Sequence, residues 1–286
     1  MSRKGRMSRK GRERIKLSII NIVLIFVCFI SMIPILYALS VSLSAQNSLI
    51  STDFSFLPKE LTLNNFKAVL FDKPVLLWFA NSIMLALSTV VLSLTFAIPG
   101  AYAFSRYRFP GKKTILYILL ILNAFPSILS MLAVYKLLST LGLMDSKLGL
   151  VIIYVGTMSI FGLWNMKGYF DTIPNEIEEA AQMDGANDLQ LLTKVILPLA
   201  KPSIIVTLVM ILIFVWNEYI FAVTFMTGAE NYTLAAGLYS LQATEMSGNW
   251  PIFAAASLLI SLPILVIFFK FQKHMVSGLT VGGVKG

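Results

Sequence analysis

The sequence predicts an all-α integral membrane protein with six transmembrane helices. Of its 286 residues, 57% are hydrophobic and only 13% are charged, whereas soluble domains carry about 25% charged residues. The mean hydropathy is correspondingly high, at +0.80. Six apolar runs have about the length, roughly 20 residues, that crosses a bilayer as a helix. These predicted spans lie at 17–43, 78–104, 115–138, 148–166, 204–225 and 252–271.

Prolines inside the runs mark candidate bends. The first run contains Pro34, the second contains Pro99 followed by Gly100, and the third and sixth contain Pro126 and Pro263. Membrane helices tolerate proline where neighbouring groups satisfy the freed backbone. Each proline could therefore mark a hinge or a static kink, and the sequence leaves both interpretations open.

The Lys and Arg residues are distributed unevenly between the connections. Eight of the 23 lie at 1–16, and one side of the membrane collects 18 in total against five on the other. This placement argues against nucleic-acid binding, and basic residues accumulate in cytoplasmic loops. The sequence therefore predicts one multi-pass domain over 1–286, with cytoplasmic tails at 1–16 and 274–286.

The polar segment at 171–202 is predicted to form two short helices outside the membrane. Pro174 suits the first turn of a helix, and Gly185 suits its end. Asn187 is a good N-cap for a second helix that runs toward Pro198. We call this segment, 171–202, the knuckle.

Six acidic residues and no basic residue lie between Asp171 and Asp188. A helix that rests on anionic lipid would be basic, so we expect the knuckle to face a protein. Ala180 and Ala181, with Ile177 one turn earlier, offer a small, mildly apolar face that a partner can approach closely. A docking site is the favoured interpretation, and a plain connecting loop is the alternative.

The sequence gives little support to catalysis. His274 is the only histidine, and the chain contains no HExxH, GxSxG or CxxC pattern. The glycine-rich stretch at 277–286 lacks the spacing of a phosphate-binding P-loop. We therefore predict a protein that is not an enzyme and binds no metal, and whose energy comes from another chain or from an ion gradient.

Glu218 is the only acidic residue within a predicted span, and ionisable groups at that depth are costly and commonly functional. One interpretation is a pathway for a hydroxyl-rich solute, with Asn217 and Glu218 as hydrogen-bonding groups and Trp216 as a stacking face. The other is hydrogen bonding between helices. Asn81 and Asn123 carry a weaker version of the same argument. The most polar helical face of the bundle belongs to this span and contains Ser203, Thr207, Met210, Phe214 and Asn217.

The knuckle resembles the signature of the permease subunits of ABC importers, in which EAA, a glycine and a Leu-Pro pair recur at fixed spacing. In this chain the signature consists of Glu179, Ala180, Ala181, Gly185, Val195, Leu197 and Pro198. Val195 stands where isoleucine is commoner. Three further stretches are similar to the maltose/maltodextrin-type branch of carbohydrate importers: 104–107, 216–219 and 278–286.

The resemblance implies a type I importer permease fold with a cytoplasmic coupling helix, in a prokaryotic plasma membrane. It also implies a second homologous permease, a pair of ATPase subunits that bind ATP and Mg²⁺, and an extracellular solute-binding protein that faces 226–251. This chain itself would bind no cofactor. The implied ATPase contacts of the knuckle are Glu179, Ala180, Ala181, Asp184 and Gly185, with Leu197 and Pro198 fixing the return to the fifth span. The implied contacts of the tail, suited to a thin extended insertion, are Gly282, Gly283 and Lys285.

The combined prediction is an ATP-driven importer of oligosaccharides, maltodextrin-like chains first, that works by alternating access. Other oligosaccharides or glycerol-phosphate-type solutes are alternatives within this class. An ion-coupled secondary sugar transporter would show inverted repeats and several intramembrane acids, and this sequence has one such acid and no clear repeat. A membrane-embedded enzyme is disfavoured by the missing catalytic patterns.

Overall fold

The computed structural model describes residues 9–45, 58, 60–244 and 249–283, and these residues are almost entirely helical. Twelve helices are numbered here in chain order. They are α1 (Arg9–Ser42), α2 (Asn64–Lys67), α3 (Val75–Arg106), α4 (Lys112–Ala124), α5 (Ser127–Thr140), α6 (Lys147–Phe170), α7 (Asn175–Met183), α8 (Asp188–Leu199), α9 (Lys201–Asn217), α10 (Ile220–Phe225), α11 (Leu234–Thr244) and α12 (Trp250–Gly283). A π-helical turn, Ala68–Asp72, follows α2, and a π-helical segment, Leu191–Ile196, forms the middle of α8.

Four of these helices are long and apolar enough to cross a membrane: α1 from Ile15, α3, α6, and α12 as far as Lys273. Two bent pairs, α4 with α5 and α8 with α9, also pass this test and are bent by 98° and 79°. Counting each bent pair as one span gives six, which equals the predicted number. The pair α8 with α9 does not coincide with the fifth predicted span, 204–225, because α8 belongs to the knuckle and that span covers α9 and α10.

Two predicted spans are broken where the sequence suggested continuous helices. The third run breaks at Phe125, which precedes Pro126 and has extended backbone (φ −69°, ψ 130°), as expected because proline disfavours helix at the residue before it. The fifth run breaks at Glu218, also extended (φ −71°, ψ 120°). Four prolines lie within predicted spans. Pro34, Pro99 and Pro263 lie inside continuous helices, so of these four prolines Pro126 alone marks a break.

The chain divides into two compact units, 1–72 with 245–259, and 73–244 with 260–286. In the first unit the Asn65 side chain donates hydrogen bonds to the carbonyls of Ser42 (2.9 Å) and Ser44 (2.8 Å). These bonds fasten α2 to the end of α1. The second unit contains α3 to α11 and every site described below.

The core of the second unit forms where α3 packs along α6, with α9 against both. The three helices approach one another closely at Gly162 of α6. A Cβ atom there would lie 3.0 Å from the Ala97 Cβ and 3.3 Å from the Thr207 Cγ2. Three helices therefore meet at a position where any side chain larger than that of glycine requires its neighbours to shift.

We expect Gly162→Leu to lower the free energy of unfolding by about 1–3 kcal/mol, the usual cost of overpacking a core. Gly168→Leu is the matched control on the same helix, because a Cβ at Gly168 would meet no atom within 4 Å. Thermal unfolding in detergent measures the difference. Equal midpoints for the two variants would contradict the close packing of α3, α6 and α9.

The segment 226–251, expected from the sequence as a polar connection, contains the helix α11. Two contacts precede this helix. The Trp78 indole donates to the Ala229 carbonyl (2.8 Å), and the Asp145 carboxylate accepts the Thr227 backbone N–H (2.9 Å). That Thr227 bond lowers the pKa of Asp145 below its ordinary value. Leu234, at the start of α11, is buried, so the part of this segment from Thr227 to Leu234 is fastened to the second unit.

Candidate functional site

The knuckle forms both helices that the sequence predicts, joined at a left-handed glycine. Gly185 has φ +86°, and its N–H bonds to the Gln182 carbonyl (2.9 Å) while the Ala186 N–H bonds to the Ala181 carbonyl (3.0 Å). This pair of bonds is a Schellman cap. Asn187 begins α8 with a reciprocal capping box to Gln190.

The outer surface of the knuckle exposes apolar side chains. Met183 is 89% exposed, Leu189 70% and Ile177 39%. Most of the implied contact residues of the resemblance are also solvent-exposed: Glu179, Ala180, Asp184 and Gly185 are exposed, and Ala181 is half-buried. Exposed large apolar groups beside acids are typical of a protein contact. We call Ile177, Met183 and Leu189 the apolar face of the knuckle.

Glu178 has a role that the sequence analysis missed. In the sequence it is only one of the six acidic residues of the knuckle, but the structure buries it at 7% exposure. Its carboxylate pairs with the Arg106 guanidinium (2.5 Å) and accepts a hydrogen bond from the Tyr102 hydroxyl (3.0 Å). The first turn of α7 is thereby tied to the end of α3.

The two chain neighbours of Arg106 bind two further carboxylates of the knuckle. Ser105 donates to the Asp171 carboxylate (2.7 Å), and Tyr107 donates to the Asp188 carboxylate at the start of α8 (2.8 Å). The bond to Asp188 raises the pKa of the Tyr107 phenol, which lies outside the membrane-spanning segment. We call Ser105, Arg106 and Tyr107 the latch. The stretch 104–107 was noted in the sequence only as a resemblance.

Beneath the latch, a hydrophobic cluster supports the knuckle. Phe170, Ile196 and Ala200 are fully buried in it, and Leu197 packs against it while Pro198 stays exposed. The chain bends by 79° between α8 and α9 at this point. Of the two residues expected to fix the return to the fifth span, Leu197 makes the packing contact.

A cavity of about 800 Å³ lies between α4, α5, α6, α9 and α10. Most of its wall is apolar. The polar residues that line it are Asn123, Ser130, Thr157, Asn217, Glu218 and Tyr219. The cavity therefore combines an apolar surface with a few polar groups, which is the usual composition of a small-molecule site.

Glu218 lies at the break between α9 and α10, where it also lines the cavity. One carboxylate oxygen accepts the Phe221 N–H (2.8 Å), and the other accepts the Tyr154 hydroxyl (2.5 Å). The first bond provides an acceptor for a free backbone N–H at the start of α10, and the two bonds together hold the carboxylate in place. Glu218 therefore fits both the structural and the pathway interpretation. Its hydrogen bonds join α6 to the start of α10, and it also lines the cavity.

Two of the four residues considered for a solute pathway lie away from the cavity. Trp216 is buried and donates its indole N–H to the Ile260 carbonyl (3.1 Å). Asn81 is buried and donates to the carbonyls of Glu230 (2.8 Å) and Tyr232 (2.9 Å). Their hydrogen bonds favour the structural interpretation for both residues.

The polar face of the fifth span is divided between the two interpretations. Ser203 and Thr207 are buried, and Thr207 accepts a hydrogen bond from Asn165 of α6 (2.7 Å). Phe214 and Asn217 line the cavity. The early part of α9 therefore joins helices, and its last turn faces the cavity.

The C-terminal tail differs from the extended insertion that the sequence suggested. Gly282 and Gly283 form the end of α12, because that helix continues well beyond its apolar part. Lys285 lies outside the described residues.

A multi-helix apolar bundle with a broken span, a lined cavity and a knuckle with an apolar face defines a membrane transport subunit. The chain belongs to the family of binding-protein-dependent transport system inner membrane components, whose model matches residues 96–280. That range includes the latch, the knuckle and the cavity. The protein is therefore a multi-pass inner membrane permease subunit and not an enzyme, and an ion-coupled secondary transporter is not favoured.

Characterised relatives match almost the whole chain. The galactooligosaccharides transport system permease protein of Bacillus subtilis is 36% identical over 97% of this chain and 98% of its own length. The maltodextrin transport system permease protein of the same organism is 37% identical over 99% and 98%. The maltose/maltodextrin permease of Escherichia coli is 32% identical over 98% and 99%. The resemblance found in the sequence is confirmed.

Solved structures show the same fold. A chain of a bacterial ABC transporter involved in the import of the acidic polysaccharide alginate superposes with a TM-score of 0.77 at 29% identity, covering 95% of this chain and 100% of that one. A chain of the MetNI methionine ABC transporter gives a TM-score of 0.55 at 15% identity, covering 69% and 93%. The second match supports the fold alone.

Proposed function

We propose that this chain forms half of the pathway of an ATP-driven importer for uncharged oligosaccharides, with maltodextrin-like chains as the first candidate. The observation that carries the substrate class is the cavity. Its described lining contains several hydroxyl, amide and aromatic groups, one carboxylate and no Lys or Arg. Sugar hydroxyls can bond to such groups and sugar rings can stack on the aromatics.

The charge of the cavity separates this proposal from its alternatives. A glycerol-phosphate-type solute or an acidic saccharide would meet the Glu218 carboxylate and, among the described lining residues, no cation to pair with. Like charges in a site of low dielectric repel strongly. The alginate transporter is related in fold, but this cavity favours a neutral cargo.

The partners follow from the family and from the knuckle. We propose a second homologous permease, an extracellular solute-binding protein that contacts 226–251, and a pair of ATPase subunits that bind ATP and Mg²⁺. Both termini and the knuckle would be cytoplasmic, as the distribution of basic residues predicts. The ATPase would contact the apolar face together with Glu179, Ala180 and Gly185, and closure of the ATPase pair would drive alternating access. The tail residues Gly282, Gly283 and Lys285 would reach the ATPase as well.

Co-purification tests the partner set. The chain, expressed with its second permease, is expected to retain the ATPase subunits in detergent. Reconstituted with the binding protein, the complex is expected to hydrolyse ATP faster when maltodextrin is added. A chain that takes up saccharide in response to an ion gradient alone, with no ATPase bound, would refute the proposal.

Glu218→Gln tests the pathway. We expect a several-fold rise in the saccharide concentration for half-maximal uptake, since the variant loses a charged hydrogen-bond acceptor in the cavity, and such bonds are worth about 1.5–3 kcal/mol. Uptake across a panel of neutral oligosaccharides measures it. Trp216→Phe is the control. The Trp216 indole donates a hydrogen bond to the Ile260 carbonyl outside the cavity, so this variant should leave selectivity unchanged. Loss of folded protein with unchanged selectivity would support a purely structural Glu218.

A further inference from the structure

The three consecutive residues of the latch each bind a different carboxylate of the knuckle. Ser105 bonds to Asp171 before α7, Arg106 pairs with Glu178 within α7, and Tyr107 bonds to Asp188 at the start of α8. All three carboxylate contacts are made by the last two residues of α3 and by Tyr107, which directly follows it. A displacement of the knuckle therefore acts on the end of a single helix.

Arg106 makes the buried part of this contact. Its side chain is 14% exposed and that of Glu178 is 9% exposed, so the ion pair is shielded from competing water and salt. The guanidinium also donates to the Ile173 carbonyl (2.9 Å) and to the Ser105 hydroxyl (3.2 Å). A planar fork with several fixed donors holds the start of α7 and the preceding connection in one geometry, which a lysine ammonium cannot do.

Tyr102 completes the support from one turn earlier on α3. Its hydroxyl donates to the second carboxylate oxygen of Glu178 (3.0 Å), so both oxygens of Glu178 are bonded to α3. Its ring packs edge-on against Phe170, at the end of α6. Glu178 is therefore held by α3 on both oxygens, and the carboxylate cannot turn without breaking one of the two bonds.

Helix α3 is suited to carry a displacement into the bundle. It has 32 residues, which corresponds to about 48 Å at the rise of an α-helix, and it is unbroken although it contains Pro99. Farther along, it packs against α6 and α9 at the tight contact of Ala97 with Gly162. Because packed helices move as bodies rather than deforming continuously, movement at Arg106 would shift α3 against the helices that border the cavity.

We propose that Arg106 and Glu178 are positioning residues that transmit movement of the ATPase-bound knuckle to α3 and so couple ATP hydrolysis to transport. This inference rests on the proposed function. It separates two roles within the knuckle: the apolar face binds the partner, and the latch passes on the movement. Loss of the latch should leave binding intact and impair coupling.

The test compares Arg106→Gln and the milder Arg106→Lys with the wild-type complex. Both are measured in proteoliposomes for saccharide taken up per ATP hydrolysed, with each rate normalised to assembled complex. We expect this ratio to fall about tenfold for Arg106→Gln, because one partner of a buried pair is removed, and less for Arg106→Lys, which keeps the charge. The amount of co-purified ATPase should stay at the wild-type level.

Lys113→Gln is the control, because it also removes one positive charge. Lys113 is exposed on α4 and belongs neither to the knuckle nor to the latch. Its loss should leave the ratio unchanged. An unchanged ratio in both Arg106 variants, or a fall only in proportion to assembled complex, would overturn the transmission role. A wild-type chain that retains no ATPase would instead refute the proposed function itself.

Discussion

Gly185→Val is expected to abolish most ATP-driven uptake while the chain remains in the membrane at normal amounts. Gly185 holds a left-handed conformation, φ +86°, which costs other residues roughly 1–2 kcal/mol and β-branched residues more. The variant should therefore unwind the Schellman cap and turn α8 away from α7. An energy change of this size alters a two-state population by a factor of about 5–30, so we expect uptake to fall about tenfold.

The surroundings of Gly185 make the variant specific. A Cβ atom there would meet nothing within 4 Å, so the effect comes from backbone conformation and not from a clash. Gly185→Asn is the matched control, because asparagine tolerates the left-handed region. Uptake and membrane content measured together distinguish the two. Equal uptake by the valine and asparagine variants would show that the shape of this turn is unimportant.

Met183→Glu is expected to release the ATPase. Met183 is 89% exposed, so its replacement costs little within the chain, but a charge on the apolar face would be buried unpaired in the complex. We expect the affinity for the ATPase to fall at least about tenfold, which is only ~1.4 kcal/mol. Co-purification and fluorescence titration with the isolated ATPase measure this loss.

Met183→Leu provides the comparison, since leucine keeps the apolar character and similar size. It should bind the ATPase as the wild type does. If Met183→Glu also bound normally, the apolar face would lie outside the partner contact. The same complexes can be scored for uptake, which separates a binding defect from the coupling defect expected of the Arg106 variants.

The helices of the knuckle could be predicted because their signals are local. A glycine after α7 and an asparagine before α8 act on their own turns, and both perform the predicted role. The ion pair of Arg106 and Glu178 could not be predicted in this way. Its members are 72 residues apart, and nothing in either neighbourhood distinguishes Glu178 from the exposed Glu179 beside it.

The cavity could be predicted only in part, because a uniformly apolar sequence does not show which helices pack against each other in a membrane. Asn217 and Glu218 were visible as rare polar residues within an apolar run, and both line the cavity. Trp216 and Asn81 belonged to the same argument, but their polar atoms bond to backbone carbonyls. Single polar residues in a span do not reveal which neighbour they will meet.

The π-helical segment Leu191–Ile196 sets the rotation, about the helix axis, of the first helix of the knuckle relative to α9. A π turn accommodates one more residue per hydrogen bond than an α turn, and here it buries Leu191 and Ile196, five positions apart, on one side. Each residue of an α-helix turns the chain by about 100°. The number of residues between the glycine and the Leu-Pro pair therefore sets the orientation of α7 relative to α9, so we expect a change in the length of this segment to impair transport more than a change in its side chains.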